Sequence, residues 1–322
     1  MAGNTMTGTS VTVGEVHTGL LHHSTAVSAA KAAQLLDVVP GIRASRSDRP
    51  ISHVTSPSVL TGVDCLVPTA TGARVHAVGT VTSRASLTGG HILQSAAYAT
   101  VRRGPDDRRL PWSHYLAHPG EVQTLTKMNT DQVARGFLDH APSAEYIDLD
   151  AIGRRTLNAV QDRPGLDHRP AFRFGRTRVR FVIQTTSEAP ALNFTIRGDS
   201  VRTLRLTGAA APIAAQIELC EDLARHDWLL SALLSMVERS RIGTEPRSVV
   251  IDRLRPALDH LLHLWMPAAR TDAALADVWR ALEVRPGLSR QWQVNVDRIR
   301  DQVALGLLER LGTRPEEAHG GK

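Results

Sequence analysis

The stretch ARVHAVGTVTSRASLTGGHILQSAAYATVRR, residues 73–103, decides the class of fold. Ala73 to Thr82 and His91 to Arg102 are rich in β-branched and small apolar residues, and the Thr88-Gly89-Gly90 turn lies between them. Two adjacent glycines accept the positive φ angles that a tight hairpin turn demands, so the segment predicts a long β-hairpin. Upstream, Val11 to Leu21 reads as a strand. An Ala-rich helix from Thr25 to Val38 follows, stopped by Pro40 and Gly41. Ile51 to Thr55 and Val63 to Val67 read as short strands, punctuated by Pro57, Pro68 and Gly72.

Downstream, a Pro- and Arg-rich loop, Arg102 to Pro119, leads to a helix from Asn129 to His140 with Asn129 or Thr130 as its cap, and a second helix covers Leu149 to Gln161. Phe172 to Thr186 and Leu192 to Leu206 resume strand character, joined through Glu188 to Pro190. After Pro212 the pattern turns helical, with helices expected over 213–240, 249–265, 272–284 and 289–311. Trp292, Val296, Ile299, Val303 and Leu307 recur at steps of three and four, a stripe that must pack on something. Helix 213–240 has one stripe through Ile217, Cys220, Ala224 and Trp228 and another through Leu219, Leu223, Leu230, Leu234 and Val237, as expected of a central bundle helix. Pro256 predicts a kink or break in its helix. The class is α+β: an N-terminal mixed, mainly antiparallel β domain over 11–210, then a C-terminal helical bundle over 211–311. Residues 1–10 and the 312–322 tail are read as disordered.

Of 322 residues, 42% are apolar, which supports a sizeable core. Cys65 and Cys220 lie far apart, which excludes a disulfide framework and a cysteine-rich zinc module. The longest apolar runs, Trp228 to Val237 and Leu261 to Ala269, fall well short of the ~18 residues that a membrane span requires. No basic residue precedes Lys31, so no targeting segment is read at the N-terminus. The expectation is a cytoplasmic protein without membrane contact.

The net charge is +6, and Arg supplies 35 of the 38 cationic side chains. The arginine excess is read either as the codon bias of a GC-rich genome or as phosphate or nucleic-acid recognition, and its placement is uneven. Residues 151–210 carry eleven arginines against four acids, while the flanking segments are near balance. There Arg173, Arg176, Arg178 and Arg180 are threaded through Phe172, Phe174 and Phe181, and period-two alternation puts Arg176, Arg178 and Arg180 on one strand face. That face is read either as an anion-binding row for phosphate or nucleic acid, or as an ordinary solvated edge.

Other constellations carry less. His260 and His263 share a helical face at i, i+3 but have no third ligand, and His22 and His23 are adjacent on an expected strand, pointing to opposite sides, so no metal is expected. Asp222 and His226, at i, i+4, could orient an imidazole as a general base. Cys220 and His226 are six residues apart and cannot meet on one helix. An Asp–His pair without a nucleophile is not a mechanism, so this helix is read as structural or as an interface and the protein as noncatalytic. Cys65 is read as a buried, inert thiol. Trp112, His114 and Tyr115 sit on the Arg102 to Pro119 loop as a contact patch, or as aromatic groups buried to anchor it. No phosphate loop, dinucleotide fingerprint or hydrolase elbow occurs, so no cofactor is expected.

Three strings, LTGVDCLVPTATGARVHAVGTV with ASLTGGHIL within Leu60 to Leu93, LPWSHYL at 110–116 and CEDLARHDWLL at 220–230, resemble a conserved actinobacterial family of the Streptomyces type for which no activity is known. The resemblance runs from about Val13 to Val237 and carries over no functional residue. It implies a component of a multi-protein system, encoded beside a variant P-loop protein and a methyltransferase-like protein. The reading preferred from the sequence is therefore a noncatalytic adaptor or assembly component. Its helical part, through a stripe such as that of 289–311, would dock on a protein partner or on a second copy. The alternative is a nucleic-acid or phosphate-ligand binder using Arg173 to Arg180.

Overall fold

A computed structural model describes residues 10–139, 145–185, 191–198, 200–208 and 211–312, the last three without their side chains. The ends read as disordered fall almost wholly outside these residues, as does the expected connection at Glu188 to Pro190.

The predicted hairpin is the spine of the molecule. β5 (Val75–Thr88) and β6 (Ile92–Arg103) pair antiparallel across a turn in which Gly89 and Gly90 both have positive φ. A Cβ on Gly90 would stand 2.3 Å from the Val27 carbonyl oxygen, so the turn requires glycine for space as well as for φ. Around this hairpin stand β1 (Val11–Leu20), β2 (Ser45–Ser47), β3 (His53–Thr55), β4 (Val59–Val67), β7 (Glu121–Thr124), β8 (Thr177–Gln184), β9 (Ala191–Ile196) and β10 (Val201–Thr207). They form one ten-stranded sheet, ordered β2-β3-β5-β7-β6-β1-β8-β10-β9 with β4 alongside β5. Where β5 and β6 diverge beyond Tyr98, the short β7 inserts between them, antiparallel to β5 and parallel to β6. β10 also runs parallel to β8, so the sheet is mixed. The α+β class holds.

Helices cover both faces. On one lie α1 (Ala29–Leu36), α3 (Thr130–Asp139) and α4 (Leu149–Gln161). Their starts are fixed by side-chain caps: Ser28 accepts from the Lys31 amide, Asn129 from the amides of Asp131 and Gln132, and Asp148 from that of Ala151. α4 approaches the sheet closely because Gly153 has no side chain, and Ser95 Oγ of β6 donates to its carbonyl at 2.8 Å. On the other face lies α5 (Ile213–Ser240). Its Glu221 meets Arg84 of β5 and its Asp227 meets Arg202 of β10, which turns the Cys220, Ala224 and Trp228 stripe toward the sheet. The opposite stripe faces α6 (Arg247–His260), α7 (Ala276–Val284) and α8 (Leu288–Gly312), where His226 packs against Trp265 and Trp279. Of the kink or break expected at Pro256, the break does not occur, since α6 continues through it. The 289–311 stripe is spent internally at its first half, Trp292 and Ile299 being buried in the same core as the sheet. α2 (Trp112–Leu116) is a short helix inside the expected loop.

Candidate functional site

Residues 170–176 cross from α4 to β8 along the C-terminal half of α5, and between them and the end of β1 lies an open groove of about 650 Å³. Its walls carry Arg173, Arg176, Arg239 and His22, with Phe172, Phe174 and Ser235. A cavity of about 290 Å³ continues it, sharing Phe172, Arg173 and Arg239 and adding Met236, Arg253 and Pro256. The segment is held to α5 by three contacts. Trp228 Nε1 donates to the Gly175 carbonyl at 2.9 Å, Phe174 meets the same indole edge to face at 5.5 Å, and Arg239 Nη2 donates to the Arg173 carbonyl at 3.2 Å.

No carboxylate lines either cavity. Arg253 is held by Glu245 at 3.2 Å, but Arg173, Arg176 and Arg239 have no carboxylate partner among the described residues. Arg176 touches only Asn158 Oδ1, at 3.4 Å, while its stem lies across Gly19. Burial lowers the Arg176 guanidinium from its ordinary pKa, and burial together with Arg176 lowers that of His22. The groove therefore gathers guanidinium donors with no internal counter-charge, beside aromatic rings. Guanidinium forks match phosphate and carboxylate oxygens bidentately.

The structure divides the arginines that the sequence groups together. Arg173 and Arg176 line the groove; Arg178 and Arg180 do not. β8 begins at Thr177, and its face bearing Arg178 and Arg180 lies under α3 and α4. Arg180 Nε stands 2.8 Å from Glu15 Oε1, and Arg178 Nη1 stands 3.0 Å from Asp150 Oδ1 and 3.7 Å from Glu15 Oε2. The expected Arg176, Arg178 and Arg180 row is thus corrected: two members are internal counter-ions, and the face is neither an anion row nor a solvated edge. Burial raises Glu15 to about 7 against the pull of Arg180 and Arg178. His17, whose Nε2 is 3.3 Å from Asp150, is lowered by burial to about 4. Glu15, His17 and Asp150 bring one potential ligand atom each within 4.8 Å of the others, but the two guanidiniums already stand against both carboxylates.

Asp222 and His226 meet as i, i+4 neighbours, 3.4 Å apart at Oδ2 and Nδ1. The imidazole is fully buried between Trp265 and Trp279, and its Nδ1 donates to the Asp222 carbonyl at 2.8 Å. It presents no base to a cavity, so the general-base reading is corrected. In α2, Tyr115 is buried and its hydroxyl accepts from the Leu110 amide, and His114 Nε2 meets Gln123 Oε1 at 2.9 Å. Of Trp112, His114 and Tyr115, only Trp112 is exposed, with Arg109 over its ring and its edge over Gly62. The patch reduces to one side chain. His260 reaches His91 at 3.3 Å instead of acting with His263, and β1 ends before His22 and His23, of which His23 pairs with Asp167.

Arg239 is the groove residue that sequence reasoning missed, since nothing local distinguishes it from other helix-surface arginines. No protein-family model, curated protein or solved structure matches the chain.

Proposed function

We propose that the protein is a noncatalytic binder of nucleic acid or another phosphate-bearing ligand, which it holds in the groove of Arg173, Arg176 and Arg239. The observation that carries this reading is the set of three guanidiniums without carboxylate partners around a cavity whose walls contain no acid. The test is fluorescence anisotropy of a labelled single-stranded oligonucleotide, and of a labelled nucleotide, over a salt series. Three phosphate contacts give a slope of log K against log salt of about −2 for a single strand. Arg173→Ala with Arg176→Ala, which leaves the Arg239 bond to the Arg173 carbonyl in place, is expected to weaken binding and to keep the parental melting temperature. The triple variant Arg173→Ala, Arg176→Ala, Arg239→Ala is expected to lose binding and to keep its far-ultraviolet circular dichroism. Retained affinity in that variant overturns the reading.

The adaptor reading keeps one supporting observation. Leu305, Leu307 and Leu308 are exposed at the end of α8, beyond the part of its stripe that the core consumes. In that reading the helices after Pro212 gather as a bundle around α5 and offer this end to a protein partner or a second copy. Both readings fit a cytoplasmic component of an actinobacterial multi-protein system, as the resemblance implies. No helix among the described residues is long and apolar enough to cross a membrane.

A further inference from the structure

A second cavity, of about 170 Å³, lies between β2, β3, β5 and the N-terminal half of α5, about 21 Å along that helix from the groove by the 14-residue offset of Arg225 from Arg239. Its walls are polar and its charges are nearly all spent on one another. Arg84 makes a two-pronged pair with Glu221, both contacts at 2.8 Å, and Arg225 is paired with Asp222 through Nη2. His53 adds no charge: its ring is fixed between Thr88 Oγ1 at 2.8 Å and Thr55 Oγ1 at 3.1 Å, and burial, then the nearby Arg270, holds it at about 3.

Two opposite charges are left over. Arg270 and Glu218 line the same cavity, and neither has an ion-pair or hydrogen-bond partner among the described residues. Burial and then Arg225 lower the pKa of Arg270, Glu218 is near enough to oppose them, and the two opposite charges lie farther apart than the 4.0 Å of an ion pair. A third feature lines the same cavity. Arg225 is 5% exposed, and beyond Nη2 its guanidinium has no acceptor on the protein, so its remaining donors open into the cavity that it lines. A buried guanidinium with unused donors is costly unless something accepts from it.

We propose that this cavity is a binding site for a small zwitterion of the free α-amino-acid type, its carboxylate taken by Arg270 and Arg225 and its ammonium by Glu218. A neutral pair of unmatched charges, held apart in one cavity, fits a ligand with an anionic and a cationic end better than it fits a simple anion. The site is independent of the phosphate groove.

The test is isothermal titration calorimetry on the full chain with a panel of free L-α-amino acids, their N-acetyl and C-amide derivatives, and inorganic phosphate. At least one free amino acid is expected to bind, with both of its blocked derivatives weakened about tenfold or more, the worth of one charge-assisted contact. Arg270→Gln and Glu218→Gln are expected to weaken the free amino acid by a similar factor. Both side chains are exposed enough that the variants keep the parental melting temperature. Three results overturn the proposal: no free amino acid binds, an N-acetyl derivative binds as well as its parent, or Glu218→Gln leaves affinity unchanged. Phosphate binding that depends on Arg270 but not on Glu218 would reassign the cavity to a plain oxyanion.

Discussion

Arg178 and Arg180 illustrate what one strand reveals about itself. Alternation places them on a common face of β8, and they do share it. What alternation lacks is the layer above: Asp150 arrives from α4 and Glu15 from β1, and together they turn an apparent anion row into a buried network. Arg180→Ala would remove the guanidinium against Glu15, which would then hold its proton instead of standing charged in the interior, and urea unfolding near pH 7 is expected to show a loss of about 1–3 kcal/mol for the lost buried partner. The network also sets a pH signature. Glu15, raised from 4.5 to about 7, keeps a proton that the unfolded chain has released, so its contribution to stability declines as pH rises across that window. His17, lowered from 6.5 to about 4, does the reverse, and stability climbs with pH between those values. Each proton corresponds to about 1.4 kcal/mol per pH unit, so the two slopes offset one another between pH 4.5 and 6.5. His53 and His91, which burial lowers to about 3 and about 4, add rising slopes, as do His22 and His263, which burial also lowers, while Asp227, raised by burial, opposes them. Lowered histidines outnumber raised carboxyls, so stability should increase from pH 4.5 to 6.5. His17→Asn should reduce that slope by about one proton, and an unchanged slope in urea melts across that range would remove His17 from the account.

Among elements, those with sustained patterns were legible and those fixed by neighbours were not. The β5–β6 hairpin, α4 and α5 carry either turn glycines, a cap or long apolar stripes, and each forms where its residues place it. β7 has four residues, too few for a period to register, and it exists because β5 and β6 splay apart to receive it. The expected strand from Leu192 to Leu206 is two strands, β9 and β10, paired in antiparallel register. The groove was half legible: the loop's Arg and Phe alternation exposed Arg173 and Arg176, while Arg239 is supplied by the far end of α5. Close approach of elements also makes a sharp prediction at Gly14 of β1. A Cβ there would fall 2.0 Å from the Phe181 ring on β8, whose other side is packed in the core beneath α5. Gly14→Ala should cost about 1–3 kcal/mol through that forced repacking. Gly41→Ala is the control, since its φ is +79° but no atom lies within 4 Å of the added methyl, and it should cost only the left-handed backbone strain of about 1–2 kcal/mol. A Gly14→Ala variant that unfolds at the parental denaturant concentration would contradict the packing argument.

At the scale of the whole molecule, the order of strands and then helices conveys the α+β class, but not that α5 serves both halves. Its two stripes suggested a bundle centre, because a sequence shows that a helix is apolar on two sides and not which partner each side meets. The sheet residues Val16, Leu20, Ile92, Phe181, Leu204 and Leu206 share one continuous core with α5, α6 and α8. Arg84 to Glu221 and Arg202 to Asp227 cross the same boundary as partly or fully buried ion pairs. A chain ending at residue 208 would leave that apolar sheet face open and strand two guanidiniums, so the segment before α5 is expected to be insoluble when produced alone. The full chain should unfold as one unit, and its own chromophores can report this. Of the five tryptophans, Trp228, Trp265, Trp279 and Trp292 follow residue 211 and only Trp112 precedes it, so indole fluorescence follows the helical part while far-ultraviolet circular dichroism follows sheet and helices together. Coincident urea transitions from the two probes are expected of a shared core. Fluorescence changing at a lower urea concentration than dichroism would instead mean that the helices after Pro212 separate from the sheet before the sheet itself unfolds, and that the contacts of α5 with β1, β6 and β8 are weaker than its burial implies.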